Sequence, residues 1–502
     1  MDRRRFLLSS LSAAIAGTLP AGRSFAAVPG GRLIDANINA VTGNGAEVTL
    51  SRAGVQELAD SLRGNLLLPG HEAYEDARRV LNAAIDKRPA LIAQCKGAAD
   101  VKNAINFARD EDLLLAVKCG GHSLSGQSTC DGGMMIDLSP LRSVRVDPRR
   151  RIAYVTGGSL LGDMDHETMQ FGLVTTAGTV SHTGVGGLTL GGGFGRLARK
   201  FGLALDNLRG ADIVGADGQL RHASPDENPD LFWGIRGGGG NFGVVTSFEF
   251  DLHPMERQVV GGVVAFPLSE AREVMKFFAD YVAQAPDDLY IDGGVSSRPG
   301  EGSNAWMSVC YSGPLSKAKK YIEPMRKAGK PVFDNIGTID YVALQKSSDV
   351  SDPRARGAYV KSGFTTGITQ EAVDDILTGF EEHPERAMAV AFAHIGGAVG
   401  RVASDATAFA HRYAKHDLLA VLDWPSGTDA TPHVAWLKNY WATLEPHTYG
   451  FYTNDTFDQT ERRVRANYQG NYERLLRLKN KYDPGNLFRR NANIEPTARP
   501  SS

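Results

Sequence analysis

Glycine is concentrated in one quarter of this chain. Of 57 glycines in 502 residues, 27 lie between Lys118 and Gly243. They gather into three runs. The first is Lys118-Cys119-Gly120-Gly121-His122-Ser123, the second spans Gly184 to Gly195, and the third spans Gly234 to Gly243. Glycine takes positive φ without penalty and lets backbone N–H groups approach a ligand closely. Such a stretch reads either as a set of tight turns or as the cradle of a bound group, most often a diphosphate. Three runs in one stretch favour the cradle. No G-x-y period accompanies them and proline is ordinary at 23, which excludes collagen and low-complexity disorder.

The nature of the ligand narrows by elimination. The pattern G-x-x-x-x-G-K-[ST] is absent, which argues against nucleotide hydrolysis. A dinucleotide fingerprint G-x-G-x-x-G opens a βαβ unit with an acid about 20 residues on, and none of the runs presents it cleanly. The formal net charge of −2 gives no reason to expect a nucleic-acid partner. Four cysteines cannot staple a chain of this length, so Cys95, Cys119, Cys130 and Cys310 read as buried small hydrophobes.

Residues 1–26 read as an address. Arg3-Arg4-Arg5-Phe6-Leu7 precedes an uncharged run too short to span a bilayer, and Ser24-Phe25-Ala26 forms a small-x-small site. The paired arginines resemble a twin-arginine export signal, which carries folded, cofactor-loaded proteins. The expected location is therefore periplasmic or secreted, with no membrane association of the mature chain.

From Ala90 onward, helix and strand alternate: a strand at Ala90–Gln94, a helix after Asp100, and strands at Leu113–Val117, Met134–Leu138, Ile152–Thr156, Ala211–Ala216 and Ser247–Leu252. After Pro254 the pattern changes. Strand-like segments such as Val259–Phe266, Tyr290–Ser296, Ala389–Ile395 and Leu418–Asp423 are separated by helical ones such as Leu268–Ala283 and Leu315–Ala328. This predicts an antiparallel sheet with helices on one face. A last helix is expected from Glu461 to Lys481, ended by Asp483-Pro484.

The ordered set of motifs resembles the FAD-linked oxidases of the vanillyl-alcohol-oxidase (PCMH) superfamily, in the berberine-bridge-enzyme-like branch. Gly120-Gly121-His122-Ser123 matches its G-G-H-[SN] loop, and Gly187 through Gly195 its second glycine loop. Gly450-Phe451-Tyr452-Thr453-Asn454 matches a G-x-Y-x-N motif. Tyr482-Asp483-Pro484-Gly485-Asn486 with Asn491-Ala492-Asn493 matches the C-terminal signature. The resemblance implies an α+β, two-domain PCMH-type FAD-binding fold: an FAD domain over 27–257, a substrate domain of antiparallel sheet flanked by helices over 258–444, and a C-terminal segment, 445–502, completing the FAD domain.

The resemblance also implies roles. His122 would bond covalently to the flavin. Many relatives add a second bond from a cysteine at the position of Val180, which has no sulfur, so a single linkage is expected. Thr183 falls at the position that governs access of O₂, and a small β-branched residue there favours an oxidase. Backbone and side chains of Lys118, Cys119, Gly120, Gly121, Ser123, Gly178, Thr179, Gly184, Gly187, Leu188, Gly191, Gly192, Gly193, Gly195, Asn241, Gly243, Val244, Val245, Asn491 and Asn493 are expected around FAD. Tyr452 and Tyr449 are the candidate proton acceptors, with His394 and Arg401 as further candidates to face the cavity, and no metal is expected. The implied activity is oxidation of an alcohol, a sugar-type hydroxyl or an amine by hydride transfer to FAD, with O₂ reduced to H₂O₂. The alternatives are a dehydrogenase of the same fold passing electrons to a quinone or cytochrome, and a flavin-carrying binding protein without catalysis.

Overall fold

The computed structural model describes residues 34–349, 354–455 and 460–497. The export signal read in residues 1–26 lies outside the described residues.

Two sheets carry the N-terminal half. In the first, the strands run in the order Asn65–Leu67, Leu91–Gln94, Met134–Asp137, Leu115–Lys118. Met134–Asp137 is parallel to both of its neighbours. Parallel neighbours need a crossover, and the helix Ala98–Asp110 supplies one, burying Val101, Ala104, Ile105 and Ala108. The second sheet is antiparallel, in the order Leu220–Ala223, Leu208–Val214, Val244–Asp251, Ile152–Thr156, Val144–Asp147. Its core holds Phe248, Phe250, Trp233 and Leu475.

A third, eight-stranded sheet is antiparallel throughout. Leu289–Arg298, Ala387–His394 and His416–Pro425 lie side by side within it. Side chains alternate across a strand. Met388, Val390 and Phe392, with Leu418, Ala420 and Leu422, face a core shared with the helices Ala271–Val282, Leu315–Arg326, Gln370–Gly379 and Thr431–Leu444. Ala393, Asp417 and Leu419 therefore face the other way, as do Tyr290 and Asp292, and that second face looks onto the glycine runs. Mixed sheets and helices in this arrangement make an α+β fold.

Three expectations change. The glycine-rich stretch from Gly184 contains a short helix, Val185–Gly191, ended by Gly192 at φ +142°. The expected continuous helix Glu461–Lys481 is interrupted at Gln469, whose φ is +50°, and runs as Glu461–Tyr468 and Tyr472–Tyr482. The strand expected at Leu113–Val117 begins at Leu115, because Leu113 makes only an isolated bridge to Thr42. No helix among the described residues is long and apolar enough to cross a membrane.

Candidate active site

Between the glycine runs and the free face of the large sheet lies a cavity of about 470 Å³. Its floor is built where two loops meet. A Cβ on Gly120 would stand 2.6 Å from the amide nitrogen of Gly184. A Cβ on Gly184 would stand 2.5 Å from Cys119 Sγ. Only glycine at both positions lets the backbones touch.

His122 leaves this junction after Gly121, which sits at φ +68°. It lines the cavity, and its Nε2 is buried without a hydrogen-bond partner among the described residues. The ring of His182 lies 5.1 Å away, centroid to centroid. Burial, with a smaller contribution from His182, pushes the His122 imidazole down to about 4, so it is neutral at physiological pH. A neutral imidazole has the lone pair that a covalent bond requires. Cys119 differs: burial pushes its thiol up to about 11, and its sulfur packs against Gly184.

The turn at Gly178-Thr179 is held from behind. Gln345 donates to Gly178 O at 3.0 Å and to buried Asp165 at 3.1 Å. Arg196 donates to Thr179 O at 3.0 Å and to Gln345 at 2.8 Å. These side chains leave the backbone of the turn fixed and its cavity side open.

One end of the cavity is acidic. Asp417 is fully buried, and neither carboxylate oxygen has a partner among the described residues. Asp455 enters from the segment after Tyr452. Burial, then the charge of Asp455, raises the Asp417 carboxyl well above the usual range. Burial pushes Asp455 up to about 7. Asp292 is raised to about 6 by burial, but its oxygens already accept Tyr290 Oη at 2.7 Å and the His394 N–H at 3.0 Å. None of these acids was singled out from sequence. The available signal was an aspartate at a cavity-facing position of an apolar strand, as in His416-Asp417-Leu418-Leu419.

The structure brings together Cys119, Gly120, Gly121, His122, Ser123, Gly178, Thr179, Thr183, Gly184, Gly187, Leu188, Gly243, Val244, Val245, Tyr452 and Asn491 around the cavity, with Val180 beside them. Arg490 joins them; its guanidinium donates to Gly126 O at 2.8 Å.

Other expected residues serve the scaffold. Lys118 is buried, with its ammonium on Ala77 O and 3.5 Å from Asp137, so no charge is left for a ligand. Asn241 donates to Gly238 O and Ala492 O and accepts the Ile494 N–H, which ties the C-terminal segment to the third glycine run. Gly191 makes room for Asn454, Gly192 for Phe409 and Tyr452, Gly193 for Ala204 and Leu188, and Gly195 for the backbone of Ala177. Asn493 does not line the cavity, and its buried Oδ1 has no partner. Tyr449 stacks on Tyr413 at 4.9 Å instead of facing the cavity. His394 points to the opposite sheet face, where Arg199 meets its Nε2 at 2.7 Å, and Arg401 pairs with Asp287 at 2.7 Å.

Tyr452 reaches the cavity, but its expected role changes. Its Oη accepts the Gly193 N–H at 3.0 Å and the Asn454 amide at 2.8 Å. Burial, then the charge of Asp455, raises its phenol above the usual value, so it holds its proton at neutral pH.

The cavity fits a large, flat, phosphate-bearing cofactor. Gly187, Gly239 and Gly240 present bare backbone to it with no protein atom closer than 4.0 Å to a built Cβ. His122 Nε2 and Asn491 Oδ1 are buried at its wall without partners. Fold and cavity together define an FAD-dependent oxidoreductase. The FAD binding domain family matches residues 89–224, and the berberine and berberine-like family matches residues 451–495. The chain is 34% identical over 445 residues to an FAD-linked oxidoreductase of Dictyostelium discoideum, covering 88% of this chain and 97% of the relative. It is 31% identical over 451 residues to (R)-6-hydroxynicotine oxidase of Paenarthrobacter nicotinovorans, covering 87% and 97%. The solved glucooligosaccharide oxidase of Acremonium strictum superposes with a TM-score of 0.79 at 25% identity, over 89% of this chain and all of that one. The protein belongs to the berberine-bridge-enzyme-like branch of the PCMH superfamily of FAD-linked oxidoreductases.

Proposed function

We propose that this protein is an exported oxidase carrying FAD on His122 through one covalent bond and reducing O₂ to H₂O₂. The observation that carries the reading is the neutral, unpartnered imidazole of His122 at the cavity wall. The similar glucooligosaccharide oxidase is described with 6-S-cysteinyl, 8α-N1-histidyl FAD. Here Val180 lines the cavity at the position expected for the cysteine and offers no sulfur, which supports a single linkage. Thr183, also at the wall, supports access for O₂. The paired arginines Arg3-Arg4 support export of the loaded protein.

Bound FAD supplies the hydride acceptor for the substrate carbon. Glycine-run N–H groups and the Gly178-Thr179 turn hold it, with Asn491 at the wall. Asp417 takes the proton from the substrate heteroatom, because it is buried, unpartnered and faces the cavity. Tyr290, Phe194 and Leu419 line the same cavity.

Acid-precipitated protein should keep fluorescent flavin, and His122→Ala should lose it. Substrate added under air should release peroxide. A flavin that stays reduced in air overturns the oxidase reading in favour of a quinone- or cytochrome-linked dehydrogenase.

A further inference from the structure

We propose that Gln345, outside the cavity, is a positioning residue for the flavin. It pins the turn Gly178-Thr179-Val180 from behind, so that the N–H groups of Thr179 and Val180 are aimed into the cavity as a pair of donors. That pair meets the flavin ring and raises its reduction potential. The inference rests on the reading of this cavity as a flavin site with the ring at His122.

The turn is held through two successive carbonyls. Gln345, on the helix Tyr341–Lys346, donates from Nε2 to Gly178 O at 3.0 Å and to Asp165 at 3.1 Å. Arg196 donates from Nη1 to Thr179 O at 3.0 Å and to Gln345 Oε1 at 2.8 Å, and from Nη2 to Ser348 Oγ at 3.2 Å. Gln345, Asp165 and Arg196 are all buried, and none of them lines the cavity. A trans peptide points its C=O and its N–H to opposite sides, and no peptide bond among the described residues is cis. Both carbonyls point to the buried network. The N–H groups of Thr179 and Val180 therefore point away from it, to the side on which Gly178, Thr179 and Val180 line the cavity. Neither N–H has an acceptor among the described residues. The next N–H, that of Ser181, does not join them, because Asp349 accepts it at 2.8 Å.

A backbone N–H turned from water needs an acceptor, so these two call for one on the ligand. Their place selects the ring. His182, two residues past Val180, lies 5.1 Å from His122, ring to ring. Hydride uptake leaves one more negative charge on the ring that receives it. Donors fixed in advance stabilise that charge more than they stabilise the oxidised ring, and so they raise the potential. Gln345 touches no reacting atom and acts through the peptide that it pins.

The test compares wild type with Gln345→Met as full-length, flavin-loaded proteins. Methionine keeps the length and the neutral charge and removes the donor to Gly178 O. Reduction potentials are read by anaerobic titration against a reference dye. The variant should shift the two-electron equilibrium at least about tenfold towards oxidised flavin, a fall of about 30 mV. A role in packing alone would lower Tm and leave the potential in place. An unmoved or raised potential in folded variant would overturn the proposal. Wild-type protein gives a second measurement that needs no variant. Hydrogen–deuterium exchange of the peptide covering Thr179 and Val180 should be at least about tenfold slower with FAD than in protein produced without flavin. Equal exchange would overturn the donor pair, and it decides the matter should Gln345→Met fail to fold. Both readouts stand apart from the oxidase reading. A lowered potential with no peroxide under air removes that reading and keeps the role of Gln345. Acid-stable flavin and peroxide with an unmoved potential do the reverse.

Discussion

The phenol oxygen of Tyr452 accepts the backbone N–H of Gly193 at 3.0 Å, pinning the C-terminal segment to the second glycine run. The Asn454 amide reaches the same oxygen at 2.8 Å. An oxygen so used is a strut first. Tyr452→Phe should cost about 1 kcal/mol of stability, the usual worth of such a bond. It should lower kcat/KM far less than Asp417→Asn, for which removal of a proton acceptor predicts a loss of about 10²–10⁴. Steady-state kinetics of the two variants, normalised to flavin content, compare the roles directly. A larger loss in the tyrosine variant would return the base to Tyr452.

Two glycines in the same run separate fold from cofactor. Gly184→Ala drives a Cβ to 2.5 Å from Cys119 Sγ and from the Gly120 nitrogen, so the junction of two loops must open. Overpacking of this kind costs about 1–3 kcal/mol. Gly187→Ala meets no protein atom within 4 Å and projects into the cavity. The first variant should unfold at lower temperature even when produced without flavin. The second should keep its flavin-free Tm and lose FAD occupancy, read from the ratio of visible to ultraviolet absorbance.

Asp455 makes stability depend on pH in a stated direction. Its carboxyl is pushed up to about 7 in the folded protein by burial, against about 4 in an unfolded chain. Below about pH 4 both states are protonated and the fold carries no penalty. Between about pH 4 and pH 7 the unfolded chain is ionised while the folded state keeps its proton, so stability falls across that window and levels off above it. Ligand-free protein should therefore lose Tm between about pH 4 and pH 7. Asp455→Asn, which cannot ionise, should flatten that slope. A slope unchanged by the substitution would show that Asp455 ionises freely in the fold.

The sequence told the cofactor end of the cavity from its residues and the substrate end hardly at all, for a physical reason. Glycine runs act through backbone, so Gly120, Gly187 and their neighbours announce themselves by type and order. Asp417 and Asp292 act by facing inward from strands, and a one-residue change of register would turn them out. Only the pairing of His416–Pro425 with Ala387–His394 decides which face Asp417 takes. Asn241 and Lys118 show the converse. Both sit inside cofactor motifs, yet the hydrogen bonds of one and the ion pair of the other brace the loops. The break at Gln469 was hidden because helical spacing continues on both sides of it.

The C-terminal segment is locked by an ion pair with no exposure at all. Lys479, in the last turn of the last helix, and Asp483, just past its end, are 0% exposed and 2.7 Å apart. The Lys479 ammonium also donates to Asn241 O at 3.0 Å and Phe488 O at 2.9 Å. Asp483 accepts the N–H groups of Leu487 and Phe488. One lysine thus joins the third glycine run, the helix end and the strap that carries Arg490 and Asn491 to the cavity. Lys479→Met keeps the length of the side chain but leaves a buried carboxylate without its cation and takes a donor from the carbonyls of Asn241 and Phe488, the latter keeping the Asn491 amide. Breaking a buried pair from one side costs about 3–5 kcal/mol. Urea unfolding should show a loss of that size. Flavin occupancy should fall with it, because Asn491 rides on the released strap. Lys479→Met/Asp483→Asn should recover part of the stability by removing the stranded charge, and a double variant no better than the single would show that the carbonyl bonds, not the charge, hold the strap.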